Sequence, residues 1–478
     1  MISILLMIQY YILWILSYVD VLSNSIYYPI MYASSTLYLL GLLILLLRTL
    51  IRITIIAKND HFLLITIMIT GIFIILSVVL SYIKYLTYNA YTWDLGIFEQ
   101  ALFSTAFYHK LLYYTAELFV NPSGSFLGTH FSPILFLLVP LYYLSPHALT
   151  LLAIQAILVY GAAIPLYFTG KELIKDKVSS LMIALIYLIT PGLSGLIYFD
   201  FHVEAFIPII YFLFMYYFLR KKYFQSLIFL TLFLMIIEFT QIIALTMLIP
   251  IIYYIIKTNN KQNISEKLMY IVFYVILITT FLLITPKIMG IFNPQRSSSA
   301  VYNPSAIAGY KGPITNIFNY IEKNTYALFN YTAIDFNEKI YYFTTNLAPL
   351  FTSITEPILL IPAIPYIAFA SLSAYPPYYQ NIFQYSAYFV PQVFIAYVVS
   401  LSKIKSNKRI AAVSFIIGII CFMAANTLSP LAFPNLYIFI NNLNSMYIYY
   451  LNYIKYIISN NANILTINNL FPHYANSI

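Results

Sequence analysis

Charge is what this chain has least of. Asp, Glu, Lys and Arg make up 8% of its 478 residues, whereas 62% are hydrophobic. A water-soluble domain carries about 25% charged residues, so a soluble enzyme is excluded: too little polar side chain is present to cover the fold. Acidic residues are the scarcer kind, 15 against 24 basic, which leaves a net charge of +9. On so apolar a chain that excess marks cytoplasmic anchoring loops rather than a nucleic-acid surface. The 49 Tyr and 37 Phe are packing and interfacial residues, because base stacking needs basic stripes that are missing here. Cysteine occurs once, at Cys421, which excludes an internal disulfide framework. No basic residue precedes Arg48, so the first apolar segment lacks the positive n-region of a cleavable signal and is expected to stay in the bilayer. Walker, GxGxxG, HExxH and CxxC patterns are absent as well.

What is present is a succession of apolar runs. Those at 1–19, 26–47, 62–83, 147–169, 178–198, 268–285, 385–401 and 409–425 are long enough to cross a bilayer. Shorter or merged runs occupy 131–145, 205–219, 224–256 and 340–371. The expected fold is an all-α polytopic membrane protein with roughly 11–13 transmembrane helices by this length rule. Run 224–256 reads as a hairpin of two short helices turning near Glu238, and 340–371 is interrupted at Glu356-Pro357, where proline breaks a helix. Basic clusters at Arg48, Arg52 and Lys58, at Arg220, Lys221 and Lys222, at Lys257, Lys261 and Lys267, and at Lys403, Lys405, Lys408 and Arg409 mark inside loops. The outside face then receives 84–130, 199–204, the Glu238 turn, 286–339, 372–384 and the tail after 426. The basic stretch 171–177 fits inside only if 131–145 does not cross; the sequence leaves both placements open. Residues 94–119 read as an amphipathic stretch lying along the membrane surface.

So few acids can be weighed one by one. Asp20, Asp94, Glu99, Glu117, Asp200, Glu204, Glu238 and Glu356 fall near membrane ends, where an ionisable group is costly and tends to be retained for function. Asp94, Glu99, Asp200, Glu204 and Glu238 share the outside face although they come from three separate segments. In YTWDLGIFEQ (91–100), Asp94 and Glu99 lie on different helical faces, and Asp94 suits a helix cap, a catalytic role, or both. GTHFSP (128–133) places His130 at an interface, where a wetted polar tip is the simpler reading. FDFHVE (199–204) puts Asp200, His202 and Glu204 within one short turn; if extended, its side chains can reach one centre that binds a cation, a phosphate or an acceptor proton. Metal dependence stays open, with Asp94, Asp200 and Glu204 as candidate ligands for Mg2+ or Mn2+.

YTWDLGIFEQALF, GTHFSPILFLLVPLYYL and IYFDFHVEAFIPIIYF, in this order, resemble an uncharacterised family of predicted membrane proteins, domain of unknown function 2079. IIEFTQIIAL, QYSAYFVPQVFIA and TINNLFPHYAN continue the resemblance, which covers roughly residue 62 to the C-terminus. Two departures stand out. A Lys-Glu-Asp triplet of the family is reduced here to Glu238 between Ile237 and Phe239, and relatives continue beyond FPHYAN into a larger soluble segment. The resemblance thus implies two extra N-terminal helices at 1–61, a core domain at 62–425 with outside loops 84–130 and 286–339, and a short outside tail at 426–478, an incomplete soluble domain.

That family in turn is similar to the GT-C superfamily of membrane glycosyltransferases, which use polyprenyl-phosphate sugars and carry an essential acid early in a large first outside loop. The similarity implies Asp94 as the catalytic base, with Glu99 beside it. It implies a second acidic site at Asp200 or Glu204 and a substrate subsite drawn from His130, Asp200, His202, Glu204, Glu238 and Tyr385. Arg296, Lys287 or Lys311 would hold the phosphate. A transporter or flippase and a non-catalytic membrane scaffold are the alternatives. The expected place is the cell membrane, the expected partner a membrane lipid, and no nucleic acid.

Overall fold

The helix His61–Leu86 shows how this chain is built. Its buried face carries Thr66, Thr70, Ser77, Ser81 and Lys84, while Leu64, Met68, Ile72, Ile75, Leu76 and Val79 are exposed. In water the pattern would be reversed. In lipid it is the expected one, because hydrocarbon tails are as apolar as leucine and small or polar residues gain most by facing a neighbouring helix. Ile264–Phe292 repeats it, exposing Leu268, Val272, Phe273, Ile276 and Leu283. The structure, a computed structural model, describes residues 2–18, 24–57, 59–257, 264–294, 309–310, 317–426, 445–458 and 467–476. Among the described residues all regular elements are helices, and Tyr113 and Ser125 form an isolated β-bridge. The protein is an all-α polytopic membrane protein.

Six described helices are long and apolar enough to cross a membrane: Tyr27–Thr49, His61–Leu86, Ala148–Ile174, Glu238–Lys257, Ile264–Phe292 and Asn407–Ala425. A seventh crossing arises if Lys177–Leu188 and Pro191–Tyr198, bent by 51° at Pro191, count as one. The expectation of roughly 11–13 crossings is larger than the number of described helices that meet this length. It counted shorter apolar helices, including Ser3–Leu16, Val203–Leu219, Tyr223–Leu234, Pro357–Ser371 and Val390–Lys403, which do not meet the length of a bilayer alone. The interruption expected at Glu356-Pro357 is there, between Ala348–Thr355 and Pro357–Leu360. So is the break before Glu238, where Tyr223–Leu234 ends and Glu238–Lys257 begins.

Ion pairs sort the loops between the two ends. Asp60 takes Lys171 at 2.6 Å and Lys177 at 3.8 Å, Glu172 faces Arg220 at 3.6 Å, Asp176 meets Lys408 at 3.2 Å, and Glu356 pairs with Lys403. All of these basic groups therefore share one end, which the positive-inside rule makes cytoplasmic. The open question about 171–177 is answered: it lies with Arg220 and Lys408. Correspondingly, 131–145 consists of Pro133–Leu137 and Val139–Leu144, too short to cross. The stretch 94–119 is packed against protein over much of its length, while Tyr108, Leu118 and Phe119 are exposed. Its helix, Ile97–Phe107, buries Ile97, Phe98, Glu99, Gln100, Ala101, Leu102, Ser104, Thr105 and Ala106.

The opposite end is uneven in height. Phe206–Leu219 has 14 residues and rises about 21 Å at ~1.5 Å per residue, short of a hydrocarbon core of ~30 Å. His61–Leu86 has 26 residues and reaches further. The last turn of His61–Leu86 nevertheless meets the loop before Val203, where Lys84 bonds Asp200. The central helix Val390–Lys403 is buried from Val390 to Leu401. The turn that precedes it, Gln384–Tyr388, lies against Pro191–Tyr198 because Gly195 has no side chain: a Cβ there would stand 2.4 Å from the carbonyl oxygens of Asn381 and Phe383.

Candidate functional site

Asp94 occupies a five-residue π-turn, Thr92–Gly96, that feeds into Ile97–Phe107. Such turns are uncommon and recur at functional sites. The cap position of the helix falls to Gly96, and Asp94 makes no capping bond, which corrects the capping expectation and leaves its carboxylate for other work. Asp94 Oδ1 lies 2.8 Å from His202 Nε2. The other ring nitrogen of His202 is 3.3 Å from the carbonyl oxygen of Asp200, so both nitrogens are occupied. No described residue bonds Asp94 Oδ2. Beside it Trp93 is 47% exposed, and the Asp94 side chain retains 13% of its surface.

The loop that presents His202 is held by polar groups inside the bundle. Gln155 donates to the carbonyls of Ile197 and Asp200 at 2.8 and 2.7 Å and accepts from the His202 backbone N–H at 2.8 Å. Lys84, from the last turn of His61–Leu86, donates to Asp200 Oδ1 at 2.8 Å and to the carbonyls of Tyr198 and Phe199 at 2.9 Å. Asp200 Oδ2 accepts the Tyr91 N–H at 2.9 Å. Asp200 is therefore a bracket that ties the segment before Asp94 to the loop bearing His202, and its φ of +141° is a strained conformation for any residue but glycine. Burial pushes its carboxyl up to about 6, against the pull of Lys84 and with a further push from Asp94. For His202, burial opposes the charged imidazolium, but Asp94 and Glu204 outweigh it and the net shift is upward.

Glu204 is buried and accepts from Tyr388 Oη at 2.8 Å. Tyr388 packs on Phe239 with ring centroids 4.8 Å apart, which gives the apolar residue after Glu238 a structural role. Glu238 itself bonds His130 Nδ1 at 2.8 Å and accepts the Phe131 N–H at 3.0 Å. Tyr385 is half-buried between Tyr378, at 4.8 Å, and Tyr388, at 6.4 Å. Its hydroxyl is pushed well above its ordinary range by burial, with contributions from Tyr378, Glu204 and Asp94. The outer end thus gathers Asp94, His202, Asp200, Glu204, His130, Glu238 and Tyr385. Arg296, Lys311 and Asp20 lie outside the described residues.

Glu99 is not brought to that group. It is 2% exposed, faces Tyr142 Oη at 3.5 Å, and its Oε2 has no hydrogen-bond partner among the described residues. Burial raises its carboxyl from 4.5 to about 8. Between those two values the unfolded chain has lost a proton that the folded one keeps, so stability falls as pH rises through the window. Glu99→Gln is therefore expected to raise the unfolding temperature, with a larger gain at pH 8 than at pH 5. An equal gain at both, measured by thermal unfolding in detergent, would show that Glu99 is not buried as a proton-bearing acid.

The three candidate metal ligands point to three different partners: Asp94 to His202, Asp200 to Lys84 and Glu204 to Tyr388. No group of three or more His, Cys, Asp or Glu side chains converges on a common centre among the described residues. They do not fit a metal ion as they stand. Sequence reasoning missed Lys84, Gln155 and Tyr388. The signal for Gln155 was present, since it is a strongly polar residue inside the apolar run 147–169.

No curated protein and no solved structure matches the chain. One family model does, described as a predicted membrane protein, DUF2079, and its match over residues 82–477 begins later than the residue 62 suggested by the motifs. That span includes Asp94, His130, the FDFHVE loop, Glu238, Tyr385 and the C-terminal NNLFPHYAN, and over it the chain belongs to the DUF2079 family of predicted membrane proteins.

Proposed function

We propose that this protein is a glycosyltransferase of the GT-C kind in the cell membrane, moving a sugar from a polyprenyl-phosphate donor to an acceptor hydroxyl at the outer face. The observation that carries this reading is the Asp94–His202 pair. One carboxylate oxygen is held by His202 and the other has no hydrogen-bond partner among the described residues. In this reading Oδ2 of Asp94 takes the acceptor proton as the acceptor oxygen attacks the anomeric carbon and the polyprenyl phosphate departs. His202, with both nitrogens engaged, orients Asp94 rather than serving as the base. Glu204, Glu238 and His130 supply hydrogen-bonding groups for sugar hydroxyls, and Tyr385 and Tyr388 supply ring faces. Arg296 keeps the role of phosphate cation, a task suited to a guanidinium. The lipid tail stays in the bilayer against the exposed apolar helices. No step is assigned to Mg2+ or Mn2+.

Transport is less well supported. A transporter site is expected near the midplane, in broken helices between repeats, whereas the acids here lie at the two ends. A scaffold gives no reason for an open carboxylate beside a fully bonded histidine. Thermal unfolding with a panel of polyprenyl-phosphate sugars, with and without Mg2+ or Mn2+, tests the binding half of the proposal. A true donor at 100 times its Kd adds about 2.7 kcal/mol of stability, which Glu204→Gln and Tyr388→Phe should diminish. No stabilisation by any member of the panel would refute it.

A further inference from the structure

The C-terminal motif has a place in the fold that the mechanism above does not use. Residues 467–476 return to the Asp94 turn from the far end of the chain. Asn468 accepts the Thr92 backbone N–H through both its side-chain Oδ1, at 2.8 Å, and its carbonyl oxygen, at 2.9 Å. That carbonyl also accepts from Thr92 Oγ1 at 2.7 Å. At the other end of the turn Gly96 lies against the tail: a Cβ there would stand 2.6 Å from Phe471 Cδ1. His473 is stacked between Tyr85 and Tyr88, at 4.1 and 3.8 Å. Asn476 donates to the Pro146 carbonyl at 3.1 Å and accepts from Tyr142 Oη at 3.2 Å. The tail therefore grips Thr92 and Gly96, the two ends of the turn, with Trp93 and Asp94 between them.

We propose that residues 467–476 form a strap that sets the position of Asp94, with Asn468 and Phe471 as its positioning residues. A π-turn with no side-chain cap of its own has little to fix its shape locally. Asp200 secures it at Tyr91 and His202 secures Asp94 itself, whereas the strap bears on both Thr92 and Gly96. A general base must be held within hydrogen-bond reach of its proton, and a displacement near 1 Å costs on the order of a hundredfold in rate. The inference rests on the reading of Asp94 as the base, and the test separates the two.

The chain has two tryptophans, Trp14 and Trp93, so in a Trp14→Phe background fluorescence reports the turn alone. Asn468→Ala is expected to make Trp93 more accessible to acrylamide and to lower kcat on the order of ten- to a hundredfold, with KM within about twofold. Asn468→Asp keeps the accepting oxygen and should restore both. Gly96 is helical, with φ −62° and ψ −43°, so Gly96→Ala strains nothing except the contact with Phe471. It should reproduce the fluorescence change, and adding it to Phe471→Ala should have no further effect. If Asn468→Ala does not fold, that second pair decides. Unchanged Trp93 quenching in Asn468→Ala and Gly96→Ala overturns the strap. If the native chain consumes no lipid-linked sugar, the role of Asp94 fails, and Trp93 quenching alone still decides whether the strap sets the turn.

Discussion

Asp94→Asn is expected to lower donor turnover by about 10²- to 10⁴-fold, the range a positioned general base contributes, with the chain still folded in the membrane. The substitution is nearly isosteric, and the amide oxygen can still accept from His202 Nε2, so the turn and the FDFHVE loop should stay in place. What is lost is the carboxylate that the proposal makes the acceptor of the proton. His202→Gln should cost less, because it loosens the orientation of Asp94 without removing the proposed base. It also has a signature in stability. The imidazolium of His202 is favoured in the folded state, so its stabilising contribution is complete below its ordinary value of 6.5 and is lost as pH rises through the raised one. That loss should be visible in unfolding of the native chain and absent from His202→Gln. An Asp94→Asn protein with native turnover would remove Asp94 from the mechanism.

The largest effect on stability is expected from Lys84→Met. Asp200 is 3% exposed, and Lys84 is the cation that compensates it at 2.8 Å. Removing one partner of a buried ion pair costs about 3–5 kcal/mol, because the other charge is left uncompensated in a low dielectric. Lys84 also bonds the carbonyls of Tyr198 and Phe199, so those acceptors lose their donor as well. With a carboxyl already raised from 3.8 to about 6, Asp200 can escape by taking up a proton. The penalty should therefore be smaller at pH 5 than at pH 8. Adding Asp200→Asn to Lys84→Met should recover part of the loss. Equal stability of Lys84→Met and the native chain at pH 8, read by unfolding in detergent, would contradict the buried pair.

Much of this was legible in the sequence because lipid imposes simple rules. Apolar runs gave the helices, basic clusters gave the cytoplasmic end, and the scarcity of acids drew attention to Asp94, Asp200, His202, Glu204 and Glu238. The details that escaped are those set by long-range packing. Counting apolar runs does not show that Val390–Lys403 is a central helix buried from Val390 to Leu401, since a lipid-facing helix is just as apolar. The run 131–145 looked like half a span because its short turns are buried in protein. Asp94 and Glu99 could not be told apart by composition: the π-turn aims one at His202, 108 residues away, and the helix after it turns the other toward Tyr142. Nor does spacing show that FDFHVE sends its three polar side chains to Lys84, Asp94 and Tyr388 instead of to one centre. The tail motif was visible, but its contact with Thr92 spans 376 residues, and no local pattern encodes that.

The central claim is that the group of residues around Asp94 performs sugar transfer from a lipid phosphate. The direct test is to reconstitute the purified chain in lipid with polyprenyl-phosphate sugars labelled in the sugar, and to measure label leaving the lipid. The account predicts release from at least one donor by the native chain and none above background by Asp94→Asn in the same preparation. Label that stays on the lipid with every donor, or leaves it equally in both proteins, would contradict it.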